Sequence, residues 1–483
     1  LTKTGLLIVG SETGMVRVPN ADIEEKGRVG PGEMIAIDLV DGVFHRDTEL
    51  KDILANANPY KDWIKNTTHL DTAVTDDAPE TGEMSAEELR RRQVAYGMTM
   101  EDLELILHPM VVEAKEATGS MGDDAPLAVL SNNYRGLHCF FRQNFSQVTN
   151  PPIDSLRETR VMTLNTRLGN LGNILDASPD QCEVVQLQSP VLTNAQFKVL
   201  HDHMGNKAVD IDCSFDATGE TKNALRNSIS RIQKEAEDAV RGGCTHVILS
   251  DRDIGEDRAP IPMILATGAV HTHLTNQKLR TFTSLNVRSG ECLDTHYFAV
   301  LIGVGATTVN AYLAQEAIAD RHRKGLFADM PLGEAMARFK KATDEGLRKI
   351  MSKMGISVIS SYRGGYNFEA VGLSRSLVAE FFPGMPSRIS GIGMPGIQRK
   401  VRGQHDKAYQ PKVITLPVGG FYRYRAQAGD AHSFDGRLIH TLQSAVEKDS
   451  YRIFQKYSEG LRKLPPINLR DLLDFRHIND GIP

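Results

Sequence analysis

The chain reads as an α/β protein. A central domain of repeating β–α units, barrel-like or a doubly wound parallel sheet, is preceded by a short β-rich segment and followed by a mixed α+β segment. Three observations predict this. Between about 190 and 395, short apolar runs alternate with long helical-period stretches, the pattern of parallel strands joined by crossover helices. Residues 1 to about 65 carry only short alternating runs broken by Gly-rich turns such as Gly30-Pro31-Gly32. The length, 483 residues, suits two or three domains at roughly 100–200 residues each.

The elements follow in order. Leu6–Val9, Met15–Val18 and Met34–Leu39 read as strands, with Asp41-Gly42 as a tight hairpin turn. Ser85 with Glu87 and Glu88 reads as a helix N-terminus, and Met100–Leu107 as a second helix. Tyr134–Phe145 has large apolar residues at helical spacing, with Phe140, Phe141 and Phe145 as a core stripe. Pro151 and Pro152 forbid a helix over Val148–Ile153. The strands expected in the central domain are Val209–Phe215, Thr245–Ser250, Arg280–Val287, Phe298–Gly303, Ser357–Ser361 and Ser387–Ile392. Thr221–Arg241, Thr308–Arg323 and Leu332–Lys353 are the helices between them. Periodicity does not choose between barrel and open sheet, and no G-x-G-x-x-G opens the first unit. Beyond residue 396, Arg399–Arg402 reads as a basic turn, Tyr422–Arg425 as a strand and His440–Tyr457 as a helix.

Composition excludes several classes. A net charge of −5 and a pI near 6.3 give no basic surplus for nucleic acid or an anionic membrane. No apolar run reaches the roughly 18–20 residues of a membrane span. The five cysteines, Cys139, Cys182, Cys213, Cys244 and Cys292, form no C-x-x-C pair, which argues against a disulfide framework or a local zinc or iron–sulfur motif and favours a reducing cytoplasm. Neither terminus looks like a natural boundary, so the chain is expected to be a segment of a longer polypeptide.

In parallel α/β folds chemistry gathers at the C-terminal ends of strands. Five loops qualify: Ser250–Asp253, Asn286–Gly290, Gly303–Thr308, Ser360–Gly365 and Ser390–Gly393. Glycines there would let amides approach a phosphate or carboxylate, with Arg288 or Arg363 supplying charge, although tight βα turns explain the same residues. His271, His273 and His296 invite a metal, but i, i+2 residues do not share a helix face. Cys244 and Cys292 fit small buried hydrophobes better than nucleophiles. Two constrained polar loops stand apart: Ser120–Asp124, with Met121 and Gly122, and Phe145–Asp154, with Thr149 and Asn150.

The tracts Leu107-His108-Pro109-Met110, Ser120–Asp124, Phe145–Asp154, Leu168–Asn173, Thr295–Gly303 and Tyr362–Gly365 resemble motifs of the glutamate synthase large subunit. The resemblance runs the length of the chain. It implies that 1–65 is the tail of a class-II glutamine amidotransferase domain, 66–422 a central domain and 423–483 the start of an FMN-binding domain. It further implies a parent enzyme that makes two L-glutamate from L-glutamine, 2-oxoglutarate and reducing equivalents. That parent would carry FMN and a [3Fe-4S] cluster, and a small NADPH-oxidising flavoprotein subunit would be its partner. This segment would link the two sites and help line an ammonia tunnel while binding no cofactor and holding no catalytic residue itself. Met121 and Gly122 would reach the 2-oxoglutarate and FMN site, and Thr149 and Asn150 would border the tunnel entrance. The residues alone leave two other readings open: a free-standing α/β-barrel enzyme for an anionic metabolite, and a purely structural docking module.

Overall fold

A computed structural model describes residues 1–12, 14–70, 84–119, 124–145, 153–219, 221–412, 414–425, 429–474 and 476. The chain divides into two compact units, Leu1–Asn66 and Thr67–Pro483. The first holds one antiparallel hairpin, Ala36–Asp38 against Val43–His45, turned at Gly42 with φ +68°, where a left-handed conformation favours glycine. Leu6–Val9 and Met15–Val18, expected as strands, join no strand ladder among the described residues. Their apolar side chains are largely exposed.

The second unit is built on a five-stranded, all-parallel sheet. Its strands are β1 (Val191–Leu192), β2 (Ala208–Asp212), β3 (His246–Ser250), β4 (Ser284–Arg288) and β5 (Thr308–Asn310), in the order β1-β5-β4-β3-β2. The steps β2 to β5 all run one way, and β1 to β2 runs back across the sheet. Right-handed crossovers then put helices on both faces. Packing agrees: Val191, Ile211, Val247, Leu249, Leu285, Val287 and Val309 share the main core with helices Ala224–Arg241, Met263–Asn276 and Thr295–Gly303. Ile248 and Leu192, pointing the other way by strand alternation, pack with Phe197, Leu200 and Met204 of helix Asn194–Met204. The sheet is therefore doubly wound, and no closed barrel forms among the described residues.

Helix Asn194–Met204 starts at a capping box, Thr193 with Gln196. Ser85 accepts from the Glu88 amide as the expected cap of Ala86–Ala95. Leu332–Met354 ends at Gly355 with φ +70°.

Several expectations are overturned. Phe298–Gly303 lies in helix Thr295–Gly303, capped by Asp294, because residues this apolar all round serve a fully buried helix as well as a strand. Thr308 begins β5, not a helix. Ser357–Ser361 contributes one bridge, Thr163 to Val358, and the short helix Ile359–Tyr362. Ile389–Ile392 is a strand, but in a separate three-stranded sheet with Phe368–Leu373 and Phe141–Gln143. Tyr134–Phe145 forms a 3-10 turn, Leu137–Phe140, and a strand. Phe140 and Phe141 are buried there, whereas Phe145 is 67% exposed. Arg399–Arg402 sits inside helix Met394–Ala408, Tyr422–Arg425 forms no strand, and His440–Tyr457 falls in two helices, Gly436–Glu447 and Tyr451–Leu461.

Candidate functional site

Met121, Gly122, Thr149 and Asn150 lie outside the described residues. Their flanks are anchored. After the first loop, Asp124 accepts from the Ser433 amide (2.9 Å) and the His432 ring (3.0 Å), and the Leu127 amide donates to Ile467 (3.2 Å). Before the second loop, strand Phe141–Gln143 pairs antiparallel with Phe368–Ala370, and Asn144 donates to Asn367 (3.0 Å). After it, Ile153 packs on the main core and Asp154 accepts from the Leu156 and Arg157 amides.

At the C-terminal edge of the sheet, Asp251 follows β3 and Gly290-Glu291 follows β4. Asp251 is fully buried, and both its oxygens accept from the Gly290 amide at 2.9 and 3.0 Å. Burial and the nearby Glu291 hold its carboxyl well above the usual range. Glu291 accepts from the Met263 amide (3.1 Å), at the first residue of helix Met263–Asn276, and from the Tyr297 hydroxyl. Burial pushes it up to about 7. Tyr96 donates to the Asp251 carbonyl (2.6 Å) and shares a hydrogen bond with Tyr312 (3.2 Å). An acid half-titrated near neutrality beside tyrosine hydroxyls can hold or release a proton.

Beside this edge runs a row of clefts. The first is lined by Glu291, Asp294, Tyr297, Asp102, His138 and Arg135. Arg135 lies 3.3 Å from the Phe421 ring centre and 3.7 Å from Asp102, joining the first cleft to a second that contains Cys139 and Asp430. A third continues along Ser131, Asp430 and His432 to Pro465 and Pro466. Burial drives His138 down to about 4 and the Cys139 thiol up to about 11, which keeps both neutral. Periodicity gave no sign of this seam, since it joins residues some 300 positions apart, as in Ser131 to Asp430 (2.9 Å).

Two of the expected loops lie at the opposite edge. Because Phe298–Gly303 is helical, Gly303–Thr308 precedes a strand. Arg280 fills that turn, donating to the carbonyls of Thr283 (2.7 Å) and Gly305 (2.8 Å) and to His271 Nδ1 (3.0 Å). Arg363 follows a short helix and donates to Thr166 at 3.5 Å. Burial lowers both guanidinium groups to about 10. Burial, with Arg280 and Arg363, holds His271 down at about 3. The other two histidines go elsewhere: His273 pairs with Glu237 (2.8 Å), and His296 meets the carbonyls of His138 and Phe141.

Two features of the described residues bear on the groups implied by the resemblance. No cluster of three His, Cys, Asp or Glu suited to a metal exists among the described residues. The five cysteines are separate free thiols. The Gly-rich turn is no open phosphate cradle, since a Cβ on Gly305 would overlap the His271 ring.

Residues 91–374, more than half of the chain, match the glutamate synthase central domain. Residues 1–63 match class-II glutamine amidotransferases. The NADPH glutamate synthase large chain of Azospirillum brasilense is 64% identical over 100% of this chain and 32% of its own length. That of Bacillus subtilis is 37% identical over 98% and 31%. A ferredoxin-dependent glutamate synthase of Synechocystis is 36% identical over 98% and 32%. The chain spans about a third of the length of these curated relatives. It belongs to the glutamate synthase central-domain family.

Proposed function

We propose that this chain is the stretch of a glutamate synthase large subunit that joins its glutaminase and synthase sites. The observation carrying the proposal is 64% identity to such a large chain along the whole sequence, with an amidotransferase match at 1–63 followed by the central-domain match. In this reading 1–65 ends the amidotransferase domain, 66–422 is the central domain and 423–483 opens the FMN domain. The parent makes two L-glutamate from L-glutamine and 2-oxoglutarate in the cytoplasm. FMN and a [3Fe-4S] cluster would be carried by the rest of the large subunit. The 64% identity to one NADPH chain, against 36% to the ferredoxin-dependent enzyme, favours NADPH, through a small flavoprotein subunit, as electron source.

A shielded path for ammonia makes physical sense, because ammonia released into water protonates and diffuses away. Met121 and Gly122 serve as positioners at the 2-oxoglutarate site, and Thr149 and Asn150 as liners at the tunnel entrance. The anchored flanks of both loops support those roles. The test is Thr149→Val in the full-length enzyme. Glutamine hydrolysis is expected to proceed without 2-oxoglutarate and reductant; hydrolysis that stays tightly coupled rejects the role.

A further inference from the structure

His432 is 3% exposed, and each of its ring nitrogens faces an acceptor. Nδ1 lies 3.0 Å from the Asp124 carboxylate and Nε2 lies 3.0 Å from the Gly420 carbonyl. A neutral imidazole carries one N–H and can donate to only one of them; the imidazolium donates to both. We propose that His432 is a positioning residue whose imidazolium bridges Asp124 to Gly420, fixing Asp124, three residues after Met121 in sequence, against the Gly420 turn. The consequence for 2-oxoglutarate rests on the role given to Met121 above.

Both ends of the bridge are held. Gly420 has φ +117° and also accepts from the Asp430 amide (3.0 Å). The next two amides, Phe421 and Tyr422, donate to Glu101 at 2.9 and 3.1 Å. The Ser433 amide donates to the Asp124 carbonyl, so the two segments meet through backbone as well as side chain. The charged and titratable groups around the ring are Asp124 from the far segment and Asp430 from its own, with Tyr424 edge-on at 5.9 Å. Arg425, Asp435 and Arg437 line the same cleft. Of these, Asp435 is engaged by Tyr424 (2.7 Å) and by the start of helix Gly436–Glu447. Burial opposes the charge on His432, but the Gly420 and Asp124 contacts and the two carboxylates outweigh it and raise the ring above its ordinary value. The sign follows: the bridge is complete at low pH and is lost as pH rises through the raised imidazole value.

The experiment uses the full-length enzyme, wild type and His432→Gln, with Asp124→Ala as a second variant that removes the partly exposed partner. Hydrogen exchange at Leu127, Asp430 and Ser433, corrected for intrinsic rates, is followed from pH 5.5 to 8.5. Wild type is expected to lose protection by roughly 3- to 10-fold across the range, the net effect of one hydrogen bond. Both variants are expected to show the weaker protection throughout, without the pH dependence. Protection that is independent of pH in wild type, or unchanged in the variants, overturns the bridge. KM for 2-oxoglutarate separates the two claims. If the bridge behaves as stated and KM follows it, both stand. If exchange responds and KM does not, the bridge stands and the role of Met121 falls.

Discussion

Two acids, Asp251 and Glu291, are buried at the C-terminal edge of the parallel sheet, with His138 and Arg135 in the cleft beside them. Three bases, Arg280, Arg363 and His271, are clustered at the N-terminal edge. Backbone polarity explains the division. Strands of a doubly wound sheet feed helix N-termini at one edge and receive helix C-termini at the other, so amides collect at the first and carbonyls at the second. Glu291 accepts from Met263, the first residue of its helix, while Arg280 donates to Gly305, two residues beyond the end of Thr295–Gly303. Asp251, Glu291 and Arg280 thus take backbone partners, with no opposite side chain in an ion pair among the described residues.

The largest break in this arrangement is expected from Gly305→Ala. The new methyl would overlap the His271 ring, and φ at this position is +124°. Overpacking and left-handed strain together should cost about 4 kcal/mol. Hydrogen exchange of Ser284–Arg288 in the full-length protein reads the loss. A cost below about 1 kcal/mol would mean that the His271–Arg280 cluster yields and is not a fixed support.

The next effect is a pH dependence of opposite sign at the two edges. Glu291 is raised from 4.5 to about 7, so the folded state binds the extra proton between those values and stability falls as pH rises through that window. His271 is lowered from 6.5 to about 3, so stability falls as pH drops through its window. Glu291→Gln should therefore stabilise the fold at pH 8 by up to about 3 kcal/mol and change it by less than about 1 kcal/mol at pH 4.5. His271→Asn should flatten only the acid limb. Identical pH profiles for wild type and Glu291→Gln would show that Glu291 stays ionised in the folded state.

The edges also show how far sequence carries. A strand with a run of three apolar residues between helical patterns, β3, was legible because both periodicities are strong there, whereas of the strand expected over Arg280–Val287 only Ser284 onward is β4 and Arg280–Phe282 is a 3-10 turn. The Ser250–Asp253 loop was legible too, as the end of a strand. Phe298–Gly303 was not: a fully buried helix and a buried strand share one composition, and the misreading moved Gly303–Thr308 to the wrong edge. Glu291 went unnoticed because its environment comes from Met263 and Tyr297, a proximity that only the tertiary fold creates. The link from Asp124 to His432 spans 308 residues and leaves no periodic trace. The two loops marked by Met121 and Thr149 stood out for local reasons, glycine and proline constraint beside polar groups, which a single sequence does display.

The smallest effect sharpens the account of the acidic edge. Tyr96→Phe removes the hydroxyl that donates to the Asp251 carbonyl and meets Tyr312, while the ring that packs against Gly290 remains. If the amides of Gly290 and Met263 hold the acids, as the comparison of the edges implies, this hydroxyl is one donor among several. Its loss should then cost about 1 kcal/mol, the net value of a single neutral hydrogen bond. The rise in stability of Glu291→Gln at pH 8 should survive in the double variant, because Tyr96 bonds to the Asp251 backbone and Glu291 is bonded by Tyr297. A cost near 3 kcal/mol, or loss of the Glu291 effect, would instead make the tyrosines and acids one cooperative network, with the edge held by side chains more than by helix ends.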